Sequence, residues 1–214
     1  MFSNALASLA EIKIVPVVVL DREADAVPLA EALCAGGLNA AEVTFRTQAA
    51  EASIRTISKR FPNMTVGAGT LSSVEQAQRA LDAGASFFVS AGFHRGVTEF
   101  ALEHHVPIYP GVCTPTELML LLEYGLPMAK FFPPAQFGGL DTVKALAGPF
   151  PQMKFMPTGG VGPANVLDYL SFDKVIACGG SWMVKPELIR AGDFARIQTL
   201  TQEAVELVKG AKRI

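Results

Sequence analysis

The amino-acid sequence predicts an α/β protein of the (β/α)8 TIM-barrel type, and its hydrophobic pattern carries the prediction. Short apolar runs rich in Val, Ile and Phe, each bounded by Gly or Pro, recur about 20–26 residues apart and are typical of buried strands. Longer amphipathic stretches separate the runs and fit helices. The eight runs are IVPVVVL (14–20), AAEVTF (40–45), MTVGAG (64–69), FFVSAG (87–92), VPIYPG (106–111), MAKFFP (128–133), KFMPTGG (154–160) and KVIACGG (174–180).

Eight strand–helix units are enough to close a parallel barrel, although an open doubly wound sheet has the same local pattern. We favour the barrel because no GxGxxG, the dinucleotide-binding fingerprint, follows the first run. The 214 residues suit one domain, 1–214, at the short end for this fold. Residues 3–11 are expected to form an extra N-terminal capping helix that covers the bottom of the barrel.

The segments between the runs carry helix start and stop signals. DAVPLAEALCAGG (25–37) has apolar residues at helical spacing, Asp25 as a possible N-cap and glycine at its end. SSVEQAQRALDAGA (72–85) has Ser72 or Ser73 as its cap and Gly84 as its end. TPTELMLLLEYG (114–125) repeats the pattern.

Composition and charge indicate which classes of binding partner the protein can have. The chain carries 18 Lys and Arg against 20 Asp and Glu, so it has no bulk attraction for nucleic acid or an anionic membrane. No uninterrupted apolar run reaches the roughly 18 residues of a membrane span, and the N-terminus lacks the basic start of a signal peptide. We therefore expect a cytoplasmic protein whose partner is a small molecule.

The cysteines and histidines give no metal or disulfide signal. Cys34, Cys113 and Cys178 are widely spaced and lie in apolar contexts, so we expect buried, reduced thiols. His94 follows the fourth run, on the predicted active face, and its role is open at this point. No HxH, HExxH or acidic cluster is present, and we expect neither metal nor cofactor.

Lys130 is the most unusual residue, because it alone of the nine lysines lies inside an apolar run, between Ala129 and Phe131. Burying an ammonium group is costly unless the charge is paired or neutralised. Desolvation favours the neutral amine, which attacks a ketone to form a Schiff base. A structural lysine paired with a carboxylate is the alternative, and the strand pattern alone does not separate the two.

Glu42 and Arg46 come from the second run, and the barrel would bring both to the same face as Lys130. Glu42 lies in an otherwise apolar strand and is the candidate acid/base, with simple pairing to Arg46 or Lys130 as the alternative. Arg46 follows at the end of the strand, where its guanidinium suits a substrate carboxylate. A solvated loop arginine is its alternative.

Two glycine clusters follow the seventh and eighth runs, namely Gly159-Gly160 and Gly179-Gly180-Ser181. Glycine lets the backbone approach an anion closely, and free N–H groups then cradle a phosphate. The loops after strands seven and eight are the common phosphate site of such barrels. A single Gly-Gly pair is weak evidence for such a site, but two glycine clusters after the seventh and eighth runs together indicate a phosphate site.

With these residues placed, the sequence resembles the 2-keto-3-deoxy-6-phosphogluconate (KDPG) aldolase family, whose members often also cleave 4-hydroxy-2-oxoglutarate. The resemblance covers nearly the whole chain, and its motifs together are specific. They are AEVTFRT (41–47), VGAGTL (66–71), PGVCTPTE (110–117), KFFP (130–133), GPFPQMKFMPTGGV (148–161) and GGSW (179–182).

The resemblance implies a class I, Schiff-base aldolase on a (β/α)8 barrel, usually a homotrimer. Such an enzyme cleaves 2-dehydro-3-deoxy-6-phospho-D-gluconate to pyruvate and D-glyceraldehyde 3-phosphate in the Entner-Doudoroff pathway. The implied catalytic residues are Lys130 as the Schiff-base lysine and Glu42 as the acid/base. The implied substrate-binding residues are Arg46 and Thr70 at the pyruvate carboxylate, Phe132 beside the reacting carbons, Thr158 at the hydroxyl groups, and Gly159, Gly160, Gly180 and Ser181 at the phosphate.

The sequence departs from the family pattern at a few positions that border the expected pocket. Ala91 stands where the family has proline, Ala129 replaces a larger residue, and Pro134-Ala135 replaces Ala-Glu. These changes bear on substrate preference more than on reaction class. The alternatives are a 2-dehydro-3-deoxy-6-phosphogalactonate aldolase, a phosphosugar isomerase or epimerase or metal-dependent aldolase on the same barrel, and a non-catalytic phosphometabolite-binding barrel.

Overall fold

The computed structural model describes residues 2–211, apart from the side chains of residues 2–6. Short buried strands alternate with helices along the chain, as the hydrophobic pattern predicts. The strands are β1 (Ile14–Val18), β2 (Ala40–Thr44), β3 (Thr65–Gly69), β4 (Phe87–Val89), β5 (Ile108–Tyr109), β6 (Gly111–Val112), β7 (Met128–Phe131), β8 (Lys154–Pro157) and β9 (Cys178–Gly180).

The helices follow the strands and end mostly at glycine or a polar residue. None of those described is both long and apolar enough to cross a membrane. They are α1 (Phe2–Ile12), α2 (Ala26–Ala35), α3 (Ala50–Arg60), α4 (Val74–Asp82), α5 (Arg95–Glu103), α6 (Pro115–Glu123), α7 (Gly139–Ala147), α8 (Val166–Ser171), α9 (Pro186–Ala191) and α10 (Phe194–Lys209), with 3-10 turns at Glu23–Asp25 and Pro134–Phe137.

All strand pairs are parallel. One sheet has the order β5-β4-β3-β2-β1-β9 and a second has the order β6-β7-β8. Two isolated bridges, Phe155–Val175 and Thr158–Gly179, join the β8 edge to the segment of β9. At the other edge the chain passes directly from β5 to β6 through Pro110, whose carbonyl accepts the Lys130 N–H at 2.9 Å. The result is an α/β fold whose parallel strands curve around a common interior.

Side chains that alternate along the strands divide the core in two. The larger part lies between strands and helices, while a second cluster lies on the inner face of the curved strands. Leu9 of α1 is buried in this interior cluster, so the N-terminal helix packs against the strand starts. The other members of the interior cluster are Val15, Phe87, Val89, Tyr109, Met128, Met156, Ile176 and Ala177.

Two of the eight runs differ from the expected continuous strands. The fifth run splits at Pro110, which has no N–H to donate, so that β5 pairs with β4 and β6 pairs with β7. In the eighth run only Cys178–Gly180 pair with β1, whereas Val175 forms an isolated bridge. Residues 3–11 are helical as expected, within α1.

The helix caps confirm most of the local signals. Ser73, not Ser72, caps α4 by accepting the Gln76 N–H at 3.2 Å, and Gly84 ends the segment at φ +90°. The expectation that Asp25 caps α2 is wrong. Its carboxylate accepts two hydrogen bonds from Arg22, at 2.8 and 2.9 Å, and this bidentate pair replaces the cap.

Cys34, Cys113 and Cys178 are not joined by disulfide bonds within the described residues. Cys178 is fully buried, and desolvation raises the pKa of its thiol above the ordinary value. Cys34 and Cys113 are only half-buried, which corrects the expectation that all three are buried.

Gly67 is a packing constraint of the interior, and its substitution tests the fold. A Cβ at this position would lie 2.2–2.5 Å from three ring atoms of Phe87, which belongs to the interior cluster. We expect Gly67→Ala to lower the free energy of unfolding by about 1–3 kcal/mol, the usual cost of overpacking. Chemical denaturation measures the change. Gly92→Ala is the control, because nothing lies within 4 Å of its Cβ position, and equal stability of the two variants would contradict the prediction.

Candidate active site

A cavity of about 400 Å³ opens at the carboxyl ends of the strands. All of the site residues predicted from the sequence line this cavity, except Glu42, which is fully buried. The structure therefore brings together residues that are up to 135 positions apart in sequence (181 − 46). The lining residues are Val17, Thr44, Arg46, Thr70, Ala91, Lys130, Phe132, Thr158, Gly159, Gly160, Val161, Gly179, Gly180 and Ser181.

Lys130 reaches the floor of the cavity from β7. Met128, two residues earlier, belongs to the interior cluster, so the alternation of β7 directs Lys130 inward as well. The residue is only 4% exposed. Its Nζ lies 3.4 Å from Oε1 of Glu42 and 5.3 Å from the centre of the Phe132 ring.

Glu42 lies on β2, which is flanked by β1 and β3. It is completely buried, and its Oε2 has no hydrogen-bond partner among the described residues. Gly69 on β3 makes room for the carboxylate, because a Cβ there would lie 2.2 Å from Oε1. Glu42 thus holds one oxygen near Lys130 and leaves the other free for a proton transfer.

The Lys130–Glu42 pair is a poor source of stability. Removing two charges from water costs several kcal/mol for each ion, and one hydrogen bond of 3.4 Å repays little of that cost. Removing either partner would leave a buried group uncompensated. A buried acid–amine pair on the floor of a cavity is the arrangement expected of reactive groups.

One end of the cavity presents a free cation. Arg46 is exposed at the cavity lining, and its guanidinium makes no hydrogen bond or ion pair with any residue that the structure describes. The preceding Phe45 lies 5.8 Å beneath the guanidinium of Arg79, which also donates to Glu51 at 2.8 Å and so lowers the pKa of that carboxyl group. Thr70 lines the same wall in the left-handed conformation, at φ +59°, which is rare for threonine.

Backbone N–H groups line the other part of the cavity. Gly159 and Gly160 have φ of +98° and +71°, a sequence of left-handed conformations that favours glycine. Within residues 2–211, the N–H groups of Gly160, Val161 and Ser181 donate to no acceptor in the protein. Such N–H groups at a concave surface bind anions.

Thr158 lies between these two parts of the cavity. Its Oγ1 donates to the Met156 carbonyl at 3.3 Å, and it packs so closely on Gly179 that a Cβ there would lie 2.3 Å from Oγ1. Phe132 forms the adjacent wall and approaches the Cβ position of Gly159 to 3.3 Å. Thr158, Phe132, Gly159 and Gly179 thus form one tightly packed stretch of the cavity wall.

The sequence analysis missed three lining residues, which are Val17, Thr44 and Val161. The period of two along β2 could have identified Thr44, because it follows Glu42 by two positions; its Oγ1 donates to the Val18 carbonyl at 2.9 Å. The other missed residues can be identified only from the three-dimensional fold, because the position of their backbone, and not the chemistry of their side chains, places them in the cavity wall.

The structure also shows where His94 lies, and where two residues that depart from the family pattern, Ala91 and Ala135, lie relative to the cavity. His94 lies outside the cavity lining and caps α5, its Nδ1 accepting the Val97 N–H at 3.2 Å. Ala91 does line the cavity, and Ala135 packs 3.4 Å from the Cβ position of Gly160. Among the described residues, no group of three or more His, Cys, Asp and Glu side chains could hold a metal ion.

Comparison with known proteins agrees with this geometry. The family described as KDPG and KHG aldolase matches residues 6–200. The chain is 45% identical to the 2-dehydro-3-deoxy-phosphogluconate aldolase of Treponema pallidum, over 94% of this chain and 96% of the relative. It is 46% identical to the KHG/KDPG aldolase of Escherichia coli K12, over 93% and 92% of the two chains.

Solved structures show the same similarity. The KDPG aldolase of Legionella pneumophila, with pyruvate captured as a covalent carbinolamine intermediate, has a TM-score of 0.89 and 39% identity, over 92% of this chain and 96% of that one. The Zymomonas mobilis ZM4 enzyme, with 3-phosphoglycerate, has a TM-score of 0.86 and 39% identity, over 97% and 96%. The chain therefore belongs to the KDPG and KHG aldolase family.

Proposed function

We propose that this protein is a class I aldolase that cleaves 2-dehydro-3-deoxy-6-phospho-D-gluconate to pyruvate and D-glyceraldehyde 3-phosphate, with 4-hydroxy-2-oxoglutarate as a further substrate. One observation carries the proposal. The buried Lys130 amine, 3.4 Å from the Glu42 carboxylate, forms the floor of a cavity with a free guanidinium and unpaired backbone N–H groups in its walls. This arrangement suits a substrate that is anionic at both ends.

The substrate would bind with its two ends in different parts of the cavity. Arg46 and Thr70 would hold the carboxylate beside the ketone, and Phe132 would pack against the reacting carbons. Thr158 would contact the hydroxyl groups, which makes it the residue that distinguishes the gluconate from the galactonate configuration. Gly159, Gly160, Gly180 and Ser181 would bind the phosphate, since backbone N–H groups are good phosphate ligands.

The reaction would begin when the neutral Lys130 amine attacks C2 of the ketone. Glu42 would shuttle the protons that convert the carbinolamine to a protonated imine with loss of water. Glu42 would then take the proton of the C4 hydroxyl, the C3–C4 bond would break, and its electron pair would move into the imine to give an enamine. D-Glyceraldehyde 3-phosphate leaves at this point. Protonation of the enamine at C3 and hydrolysis release pyruvate and restore the amine.

The finer architecture belongs to the same proposal. The order of the two sheets, the bridges between β8 and β9 and the passage through Pro110 support one closed (β/α)8 barrel, 1–214. The burial of Leu9 in the interior cluster supports α1 as the helix that covers its bottom. From the family we further propose a homotrimer in the cytoplasm that requires no metal or cofactor.

Replacing Lys130 tests the nucleophile. We expect wild-type protein incubated with pyruvate and borohydride to carry a pyruvyl adduct on Lys130, identified by peptide mass spectrometry, and Lys130→Met to carry none and to lose cleavage. Lys154→Met is the matched control, because Lys154 begins the neighbouring β8 and, among the described residues, its Nζ donates to the Asp173 carbonyl alone. An adduct on another lysine, or cleavage by folded Lys130→Met, would refute the mechanism. Loss of activity in EDTA would instead favour a metal-dependent aldolase, isomerase or epimerase.

Replacing Glu42 separates imine chemistry from proton transfer. Glu42→Gln keeps the shape of the side chain and removes the base, so we expect it to retain trapping of pyruvate while cleavage slows by about 10²–10⁴-fold. Stopped-flow measurement of kcat checks this expectation, with the exposed Glu31→Gln of α2 as the control. A kcat within a few fold of wild type would exclude Glu42 as the acid/base.

Replacing Arg46 tests the carboxylate site. Hydrogen bonds to charged groups contribute about 1.5–3 kcal/mol, so we expect Arg46→Met to raise the pyruvate concentration for half-maximal trapping roughly 10- to 100-fold. The yield at saturating pyruvate should recover, because the amine is unchanged. Arg60→Met, at the exposed end of α3, is the control. An unchanged concentration dependence would show that the carboxylate binds elsewhere.

A further inference from the structure

The loop that follows β8 is held by one side chain outside the cavity lining. The Oδ1 of Asn165 accepts the Gly162 N–H at 2.9 Å, and its Nδ2 donates to the Gly160 carbonyl at 3.0 Å. One amide group thus ties together two points of the loop that carries Gly159, Gly160 and Val161 along the cavity.

Asn165 is in a position where it would ordinarily serve a helix. It is the N-cap residue of α8, where an asparagine side chain commonly accepts an N–H of the first helical turn. Here the side chain makes no such bond and turns back to the preceding loop instead. Capping of α8 therefore does not account for this side chain, whereas the shape of the loop does.

The bond to the Gly160 carbonyl determines the direction of a second group. The carbonyl of Gly160 and the N–H of Val161 belong to the same planar peptide unit, and in a trans peptide they point in opposite directions. Because the carbonyl points to Asn165, the Val161 N–H points away from it. Val161 lines the cavity, and its N–H has no acceptor within the described part of the chain.

We propose that Asn165 is a positioning residue that aims the Val161 N–H into the cavity as a further donor to the substrate phosphate. The inference rests on the proposed function, since it assumes that the glycine loops receive an anionic group. The fixed amide removes the freedom of the Gly160–Val161 peptide to rotate, so the donor is in place before the anion arrives. The carboxylate end and the Lys130–Glu42 pair do not depend on Asn165.

The test compares Asn165→Ala with Asn165→Asp. Alanine removes both hydrogen bonds. Aspartate keeps an acceptor for the Gly162 N–H, loses the donor to the Gly160 carbonyl and adds a negative charge. A loss of phosphate binding is therefore assigned to the orienting bond only where the uncharged Asn165→Ala shows it as well. Asn63→Ala is the matched control, because Asn63 is exposed near the start of β3, at the opposite ends of the strands.

For both Asn165 variants we expect kcat/KM for the phosphorylated substrate to fall roughly 10- to 100-fold, as for other small misplacements of a binding group. The rise in Tm that inorganic phosphate produces in the wild type should be largely lost. The pyruvate concentration for half-maximal trapping on Lys130 should stay within about twofold, because the other end of the cavity is intact. Asn63→Ala should match the wild type in all three measurements.

Two results would overturn the inference. One is an unchanged phosphate-dependent rise in Tm in Asn165→Asp. The other is loss of pyruvate trapping in parallel with the loss of phosphate binding, since that would indicate general damage to the fold. Failure of the proposed function would look different: the wild type itself would form no adduct with pyruvate. Phosphate stabilisation does not require catalysis, so it tests the role of Asn165 in either case.

Discussion

The burial of an ammonium and a carboxylate group in one interior is the constraint on which the rest of the structure depends. Lys130 and Glu42 reach each other from different strands, and both are shielded from water. A pair in such a site is strongly affected by small changes in distance, because the surroundings screen charge weakly. The neighbouring backbone therefore has to leave space for the two side chains and also restrict their movement. Gly69 does this for Glu42, since any side chain there would occupy the position of the carboxylate.

The alternation of side chains along the strands places apolar packing residues at one level and polar cavity-lining residues at another. On β7, Met128 belongs to the apolar interior cluster and Lys130, two residues later, lines the cavity. Met156 of β8 and Thr158, directly after that strand, repeat this change from apolar to polar. The apolar layer lies toward the strand starts and includes Leu9 of α1. The polar layer lies toward the strand ends, where loops supply the remaining groups. The two-residue period of the strands thus places a packed apolar layer and a polar cavity lining on the same strands.

The sequence was informative where a residue conflicted with its local surroundings. A lysine inside an apolar run and glycine clusters after two strands predicted part of the cavity lining, and a glutamate in an apolar strand predicted the partner of that lysine. Thr70, Phe132 and Thr158 were expected only from the family resemblance. The missing parts depend on contacts that no local pattern encodes. Pro110 splits a run because its two neighbours pair with different strands, and Asp25 forgoes the helix cap because Arg22 offers two hydrogen bonds. Val161 joins the cavity through its backbone, so its side-chain type carries no signal.

The two anionic ends of the proposed substrate meet different kinds of donor, and the difference follows from what each end must do. In the proposed complex the carboxylate would lie next to the ketone that Lys130 would attack, so a guanidinium there would add charge that draws the anion to the amine. The phosphate takes no part in bond breaking and requires only a fixed position. In our proposal, backbone N–H groups would provide that position, with Asn165 fixing the Val161 N–H, and little conformational entropy would be lost, whereas a lysine or arginine side chain would have to be ordered on binding. Holding the remote end rigidly lets its binding free energy align the C3–C4 bond with the imine, which is where the reaction gains from it.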